Sequence, residues 1–248
     1  PYVGGYIHPP AQGMHDNIAL FDFQSLYPTI TVTHNISPET LNCSCCPENK
    51  VPGEEYNFCS RKKGFVPKII EELVNKRIEI QKKMEKIGER TREHKILDSR
   101  QYALKILANA IYGYYAYAGS RWYSRVCAQS ITSWGRYYIK KVIELAQNQG
   151  FNVIYGDTDS LFLVVESKKD IDNFLGRANK TLPGIMELEF RNLYKTGIFV
   201  LSKTGLAAKK RYALIDSEDN IIVRGLERVR RDWAGIAKEA QEKVLEAI

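Results

Sequence analysis

Apolar and polar positions along the chain fall into short alternating runs and longer helical stretches, and these predict most elements. "VIYGDTDSLFLVV", residues 153–165, holds two β-branched and aromatic runs, Val153–Tyr155 and Leu161–Val165, on either side of an acidic pair. That pattern predicts a hairpin whose tight connection carries Asp157 and Asp159. "NIALFDFQSLYPTI" begins as an apolar strand, Ile18 to Phe21, and is expected to break at Asp22 into a turn ended by Pro28. Residues 36–66 show no period and are expected to form an irregular connection bearing Cys and Pro. From Pro67, a residue suited to a first helical turn, apolar Ile70, Leu73, Ile80, Met84 and Ile87 recur at helical spacing. "EKIGERTREH" then interrupts, and a second helix is predicted over about 95–115, making an antiparallel helical hairpin. Another helix is expected over about 124–149, closed by Gly150, and a short one near 169–180. Strands follow at about 185–190, 197–203, 209–215 and 221–225, the last two joined by "DSEDN", and Asp232 is placed as N-cap of a final helix. Helices and strands are segregated, which predicts an α+β fold: an antiparallel sheet flanked by helices, with a protruding two-helix subdomain.

Composition narrows the class. The 248 residues are 44% apolar and 26% charged, an ordinary globular balance, with no repeat or low-complexity stretch. Thirty-six Lys and Arg against 29 Asp and Glu give +7, which favours a polyanionic partner. No apolar run approaches the roughly 20 residues of a membrane span, and no signal peptide is evident, so a soluble intracellular protein is expected. Pro1 stands where a Met would begin a chain, and "EKVLEAI" stops within a helical pattern. Both ends are expected to be cut from something longer.

Four of the five cysteines, Cys43, Cys45, Cys46 and Cys59, lie in one segment, and Cys127 is apart. The segment is open to three readings: a Zn²⁺ site, a disulfide from Cys59 to Cys45 or Cys46, or reduced thiols in a loop. Asp157 and Asp159 could be ordinary turn residues. Together with Asp22 at the end of a buried strand, they could instead supply the oxygen ligands that Mg²⁺ favours. Lys105, Asn109 and Tyr112 fall at i, i+4 and i+7, hence on one helix face, either a solvated face or a place for an anionic ligand. On a strand, Lys209 and Arg211 would point one way and Lys210 and Tyr212 the other, so either face presents a cation. The aromatic stretch "YYAYAGSRWYS" is expected to pack in the core.

Taken in order, "DFQSLYPTI", "KILANAIYGYY", "YGDTDS", "KKRYALI" and "VRGLERVRRDW" resemble the palm and fingers of a family B DNA polymerase, the archaeal replicative branch above all. The resemblance covers essentially the whole chain. It implies palm at 1–66 and 116–225, fingers at 67–115 and the start of a thumb at 226–248, without an exonuclease domain or most of the thumb. The implied reaction is template-directed attack of a primer 3′-hydroxyl on the α-phosphate of a dNTP, using two Mg²⁺ ions, with Mn²⁺ as an alternative. Isolated activity is expected to be weak and of low processivity.

Residue by residue, the resemblance implies metal binding at Asp22, Phe23 and Asp159, with Asp157 a less direct catalytic participant. It makes Ser25, Leu26 and Tyr27 a triphosphate cradle, with the Tyr27 ring beneath the deoxyribose as a sugar gate. Arg77, Lys105 and Asn109 contact the triphosphate, Tyr112 and Gly113 flank the nascent base pair, and Lys209, Lys210, Arg211 and Tyr212 meet the primer duplex. The implied partners are primer-template DNA, dNTPs and the remaining polymerase domains, in the cytoplasm with the nucleoid. Gln81 stands where relatives carry a Lys, with Lys82 and Lys83 beside it; Ala110 and Ser160 also depart from the usual residues. Glu187 and Glu189, on one face of an expected strand, are candidates for a place near the metals. A metal-dependent nuclease would use the same acids but leaves Tyr27 and the Lys105 face unexplained, and a non-catalytic binding module would not need the acids.

Overall fold

The computed structural model describes residues 2–201 and 207–246. Residues 202–203 of an expected strand and 247–248 of the final helix lie outside the described residues. The elements are β1 (Ile7–His8), β2 (Gly13–Phe23), α1 (Leu26–Thr33), α2 (Phe65–Met84), α3 (Arg92–Ala116), α4 (Arg125–Asn148), β3 (Asn152–Asp157), β4 (Ser160–Val164), α5 (Lys168–Lys180), β5 (Leu188–Leu201), β6 (Ala207–Ile215), β7 (Ile221–Arg224) and α6 (Gly235–Glu246). The fold class is α+β, with antiparallel pairing throughout one seven-stranded sheet.

The chain divides into two compact units. The first comprises 1–5, 24–138 and 182–187; the second comprises 6–23, 139–181 and 188–248.

The second unit holds the sheet, ordered β1-β3-β4-β2-β5-β6-β7. Its strands build a core of Ile18, Ile154, Tyr155, Phe162, Tyr194, Phe199 and Leu214, with Tyr212 packed against it. α5 covers part of the sheet through Phe174, whose ring meets Phe21 edge-on at 4.9 Å. Leu245 of α6 is buried with Ala213, Val223 and Leu226. The two strands expected at 185–190 and 197–203 are one continuous β5. Gly197 lies within it because a Cβ there would come 2.5 Å from Leu214 and 2.7 Å from Ile18. Asp232 does not cap α6: it pairs with Arg230 at 2.6 Å, and the helix opens three residues later.

In the first unit α2 and α3 pack against one another, and α1 packs against both. The turn expected after Asp22 contains α1 instead. Pro28 does not end the turn but sits in α1's first turn, where a missing N–H costs nothing. α3 opens on Thr91, whose hydroxyl accepts from the His94 N–H. The aromatic stretch is mostly outside the core: Tyr115 is buried, whereas Tyr114, Tyr117, Trp122 and Tyr123 are exposed. Inside the unit, His34 stacks on Trp134 at 3.6 Å between centroids and shares a 2.8 Å hydrogen bond with the Tyr138 hydroxyl.

Candidate active site

In the second unit β2 ends Phe21-Asp22-Phe23, with both phenylalanines buried and Asp22 half-buried between them. Strand alternation therefore turns the carboxylate away from the face that holds the rings. In register, Asp22 lies opposite Ser160 of β4, and Ser160 lies opposite Asp157 of β3. The β3–β4 connection is Thr158-Asp159, with Thr158 at φ 59° and its N–H bound to the Tyr6 carbonyl. The Asp159 carbonyl accepts from the Phe23 N–H at 2.8 Å, so the hairpin turn is docked on the end of β2 beside Asp22. Asp22 near the end of β2, Asp157 at the end of β3 and Asp159 in the β3–β4 turn thus lie at one end of the sheet.

Basic side chains attend these acids. Arg191 of β5 reaches Asp22 at 3.5 Å and Glu189 at 2.8 Å, and Glu189 is the register partner of Asp22. Lys210 pairs with Asp157 at 3.2 Å. Tyr155 connects the same two residues: its hydroxyl donates to Asp157 at 3.3 Å and accepts from the Lys210 N–H at 3.0 Å. Burial, reinforced by the charge of Asp157, pushes the Tyr155 hydroxyl up, which keeps it a donor. These half-buried carboxylates offer oxygen, the donor a hard divalent cation favours. Among the described residues, however, the group whose ligand atoms already lie close enough together to hold an ion is the cluster of Cys43, Cys45, Cys46 and Cys59. Glu187 immediately precedes β5, and its carbonyl accepts from the Gln24 N–H at 2.8 Å.

The basic strand departs from simple alternation, because Lys210 adopts φ 61°. Lys209 and Lys210 are exposed; Arg211 is engaged by Glu227. Tyr212 packs on Phe162 and Phe199, with ring centroids 5.5 and 5.4 Å away. Arg191 and Tyr155 were missed in the sequence. The alternation of Glu189 and Arg191 was the signal for the first, and no local signal marked the second.

In the first unit Ser25 stands before α1 in the left-handed region, φ 50° and ψ 55°. Its hydroxyl does not cap the helix but accepts from Arg77 Nη1 at 3.0 Å, while Arg77 Nε donates to Gln101 at 3.1 Å. Arg77 therefore ties the start of α1 to α2 and α3. The Tyr27 ring lies 4.7 Å from that of Tyr112. It also approaches Gly135 of α4, where a Cβ would be 3.2 Å from its edge. The Tyr112 hydroxyl meets that of Tyr2 at 3.0 Å, and burial pushes it up. Lys105, Asn109 and Tyr112 do lie on successive turns of α3, Lys105 and Asn109 exposed and Tyr112 half-buried; Gly113 follows, exposed. The first-turn N–H groups of α1 with Arg77 beside them suit an anionic ligand.

The same unit gathers Cys43, Cys45, Cys46 and Cys59, their sulfurs within 4.8 Å of one another. All five cysteines are free thiols. Hydrogen bonds from Ser60 hold the Cys46 thiol down at about 6, and the Lys62 N–H lowers that of Cys59. Hydrogen bonding to Cys46 and Cys59 pushes Cys45 up to about 12. Cys127 is buried in α4, apart from the cluster.

A model of DNA polymerase family B matches residues 1–248. The chain belongs to DNA polymerase family B. It is 48% identical over 255 residues to a DNA polymerase of Thermococcus gorgonarius and 36% identical over 250 residues to one of Archaeoglobus fulgidus. Each alignment covers 100% of this chain, and 32% and 31% of the respective relatives, so the chain spans about a third of their length. Among solved structures, the family B DNA polymerase of the hyperthermophilic archaeon Pyrobaculum calidifontis matches with a TM-score of 0.77 at 32% identity, covering 100% of this chain and 31% of that one. Among the described residues, no helix is long and apolar enough to cross a membrane.

Proposed function

We propose that this chain is the palm and fingers of a polymerase that adds dNTPs to a primer 3′-hydroxyl under the direction of a template strand. Residues 1–66 and 116–225 are read as palm, 67–115 as fingers and 226–248 as the start of a thumb. Primer-template DNA, dNTPs and the remaining polymerase domains are the proposed partners, and association with the nucleoid follows from the DNA substrate. The observation that carries the reading is the docking of the Asp159 carbonyl on the Phe23 N–H, which sets Asp159 beside Asp22 in a chain of this family.

Asp22 and Asp159, with the Phe23 carbonyl, are the proposed ligands of two Mg²⁺ ions, and Asp157 supports them less directly. When bound, such ions activate an attacking oxygen and stabilise the leaving one, and Mn²⁺ can serve in their place. Arg191 and Lys210 hold the carboxylates in position through their ion pairs. Ser25, Leu26 and Tyr27 present backbone N–H groups to the triphosphate, with Arg77, Lys105 and Asn109 as its cationic and amide contacts. Tyr27 excludes a 2′-hydroxyl, and Tyr112 and Gly113 border the nascent pair. Lys209 and Lys210, with Arg211 and Tyr212 behind them, meet the primer duplex through its backbone, a contact that orients without reading sequence. Zn²⁺ is proposed at Cys43, Cys45, Cys46 and Cys59 in a structural role, separate from the reaction.

The test is template-directed dNTP incorporation with Mg²⁺ by the full-length protein, comparing wild type with Asp22→Ala and Asp159→Ala. Each variant should lose ~100-fold or more, the equivalent of several kcal/mol of barrier lowering. Unchanged incorporation would overturn the assignment, and degradation of duplex without nucleotide-dependent extension would favour a nuclease.

A further inference from the structure

The segment from Leu41 to Gly64 links α1 to α2 with little regular structure of its own. Among the described residues its ladder contacts are single pairings, Leu41 with Phe58 and Lys50 with Asn57. A connection of that length without its own elements needs another source of order. Two kinds of contact converge on its end. Asn35, just after α1, donates through Nδ2 to the carbonyls of Cys59 and Lys62, at 2.5 and 2.8 Å, and accepts from the Gly64 N–H at 2.8 Å. Beside it stand the four cysteines. Cys45 lies 3.4 Å from Cys46 and 3.6 Å from Cys59, close to the roughly 3.8 Å edge that a tetrahedron of 2.3 Å Zn–S bonds requires.

We propose that Cys43, Cys45, Cys46 and Cys59 bind one tetrahedral Zn²⁺ that clamps residues 41–64 and thereby fixes where α2 begins. The clamp rests on the zinc reading given above and is independent of the polymerase reading. Its support is geometric. The Ser60 N–H points to Cys46 Sγ at 3.3 Å, the Lys62 N–H to Cys59 Sγ at 3.4 Å, and Asn57 Nδ2 to Cys43 Sγ at 3.7 Å. Donors aimed at sulfur stabilise thiolates, and they orient ligands as second contacts around a metal do. Four thiols binding Zn²⁺ release four protons and leave a net charge of −2, and Arg61, Lys62 and Lys63 follow Cys59 directly. A tetrahedral all-sulfur set suits Zn²⁺ or iron and is a poor match for Mg²⁺. Because Phe65 opens α2 one residue after Gly64, order in the segment is passed to the helix that carries Arg77.

The experiment uses the full-length protein purified under reducing conditions. Elemental analysis should show one zinc per chain lost on Cys46→Ser and on Cys59→Ser but retained on Cys127→Ser. Chelation of the wild type should then speed hydrogen exchange across 41–70, and re-addition of Zn²⁺ should restore protection. Co²⁺ added to the chelated protein should give the intense visible bands of tetrahedral thiolate ligation, a readout that does not depend on the variants folding. Bound zinc with unchanged exchange would overturn the clamp and leave the metal site standing. No zinc, with either two thiols lost to a disulfide or all of them titratable in denaturant, would overturn both, and iron in its place would overturn the choice of metal.

Discussion

Tyr27 shows how narrowly one side chain is confined. Its ring is held by Tyr112 on one side, and the bare Cα of Gly135 leaves room on another. A ring fixed by neighbours can discriminate against an added hydroxyl by collision, whereas a mobile one would yield. Tyr27→Ala should therefore relax rejection of ribonucleotides in primer extension while dNTP use falls far less; unchanged sugar discrimination would count against the gate. The acids at 22, 157 and 159 and the Lys105–Asn109–Tyr112 spacing were legible as types at intervals. Their counter-charges were not: the alternation of Glu189 and Arg191 marks a charged strand face, but only the strand pairing brings Arg191 to Asp22. Tyr155 was equally hidden: it reads as an ordinary core aromatic, and only folding brings Lys210 to its hydroxyl.

At the scale of elements, long periodic helices were readable and special backbone positions were not. α2, α3 and α4 fall within a few residues of expectation because their apolar spacing is sustained. α1 was missed because Pro28 reads as a stop, although proline suits a first turn. β5 was divided in two because residues 191–196 were expected to connect two strands, whereas one strand runs through them and on past Gly197, where the missing side chain leaves room for Ile18 and Leu214. Gly225 illustrates the same kind of constraint after β7: φ is 61°, and a Cβ would fall 2.1 Å from the Lys210 carbonyl oxygen. Gly225→Ala should destabilise by about 2 kcal/mol or more in denaturant unfolding. Gly176, exposed within α5 with open space around it, is the contrasting case. Gly176→Ala should stabilise by about 0.5–1 kcal/mol, through helix propensity alone.

Across the whole molecule, α+β character followed from the segregation of helices and strands, and the charge of +7 pointed to a polyanion before any site was placed. The two compact units were not legible. Each draws on separate stretches of chain, and a composition shift marks neither boundary. A pH response also emerges only from the fold. Burial lowers His34 from its ordinary 6.5 to about 4, although a hydrogen bond with Asn49 opposes the shift. Below pH 6.5 the unfolded chain takes up this proton and the folded one does not, so stability falls as pH drops towards 4. The loss should approach about 3 kcal/mol. Thermal unfolding measured between pH 7 and 4 should show this slope, and His34→Gln should flatten it.

The guanidinium at position 191 also bears on how an ion would arrive. An approaching divalent cation meets a resident positive group already seated between the carboxylates of 22 and 189, rather than solvent alone. Entry is then an exchange of one counter-charge for another, and the sheet end is spared bare mutual repulsion while no ion is held.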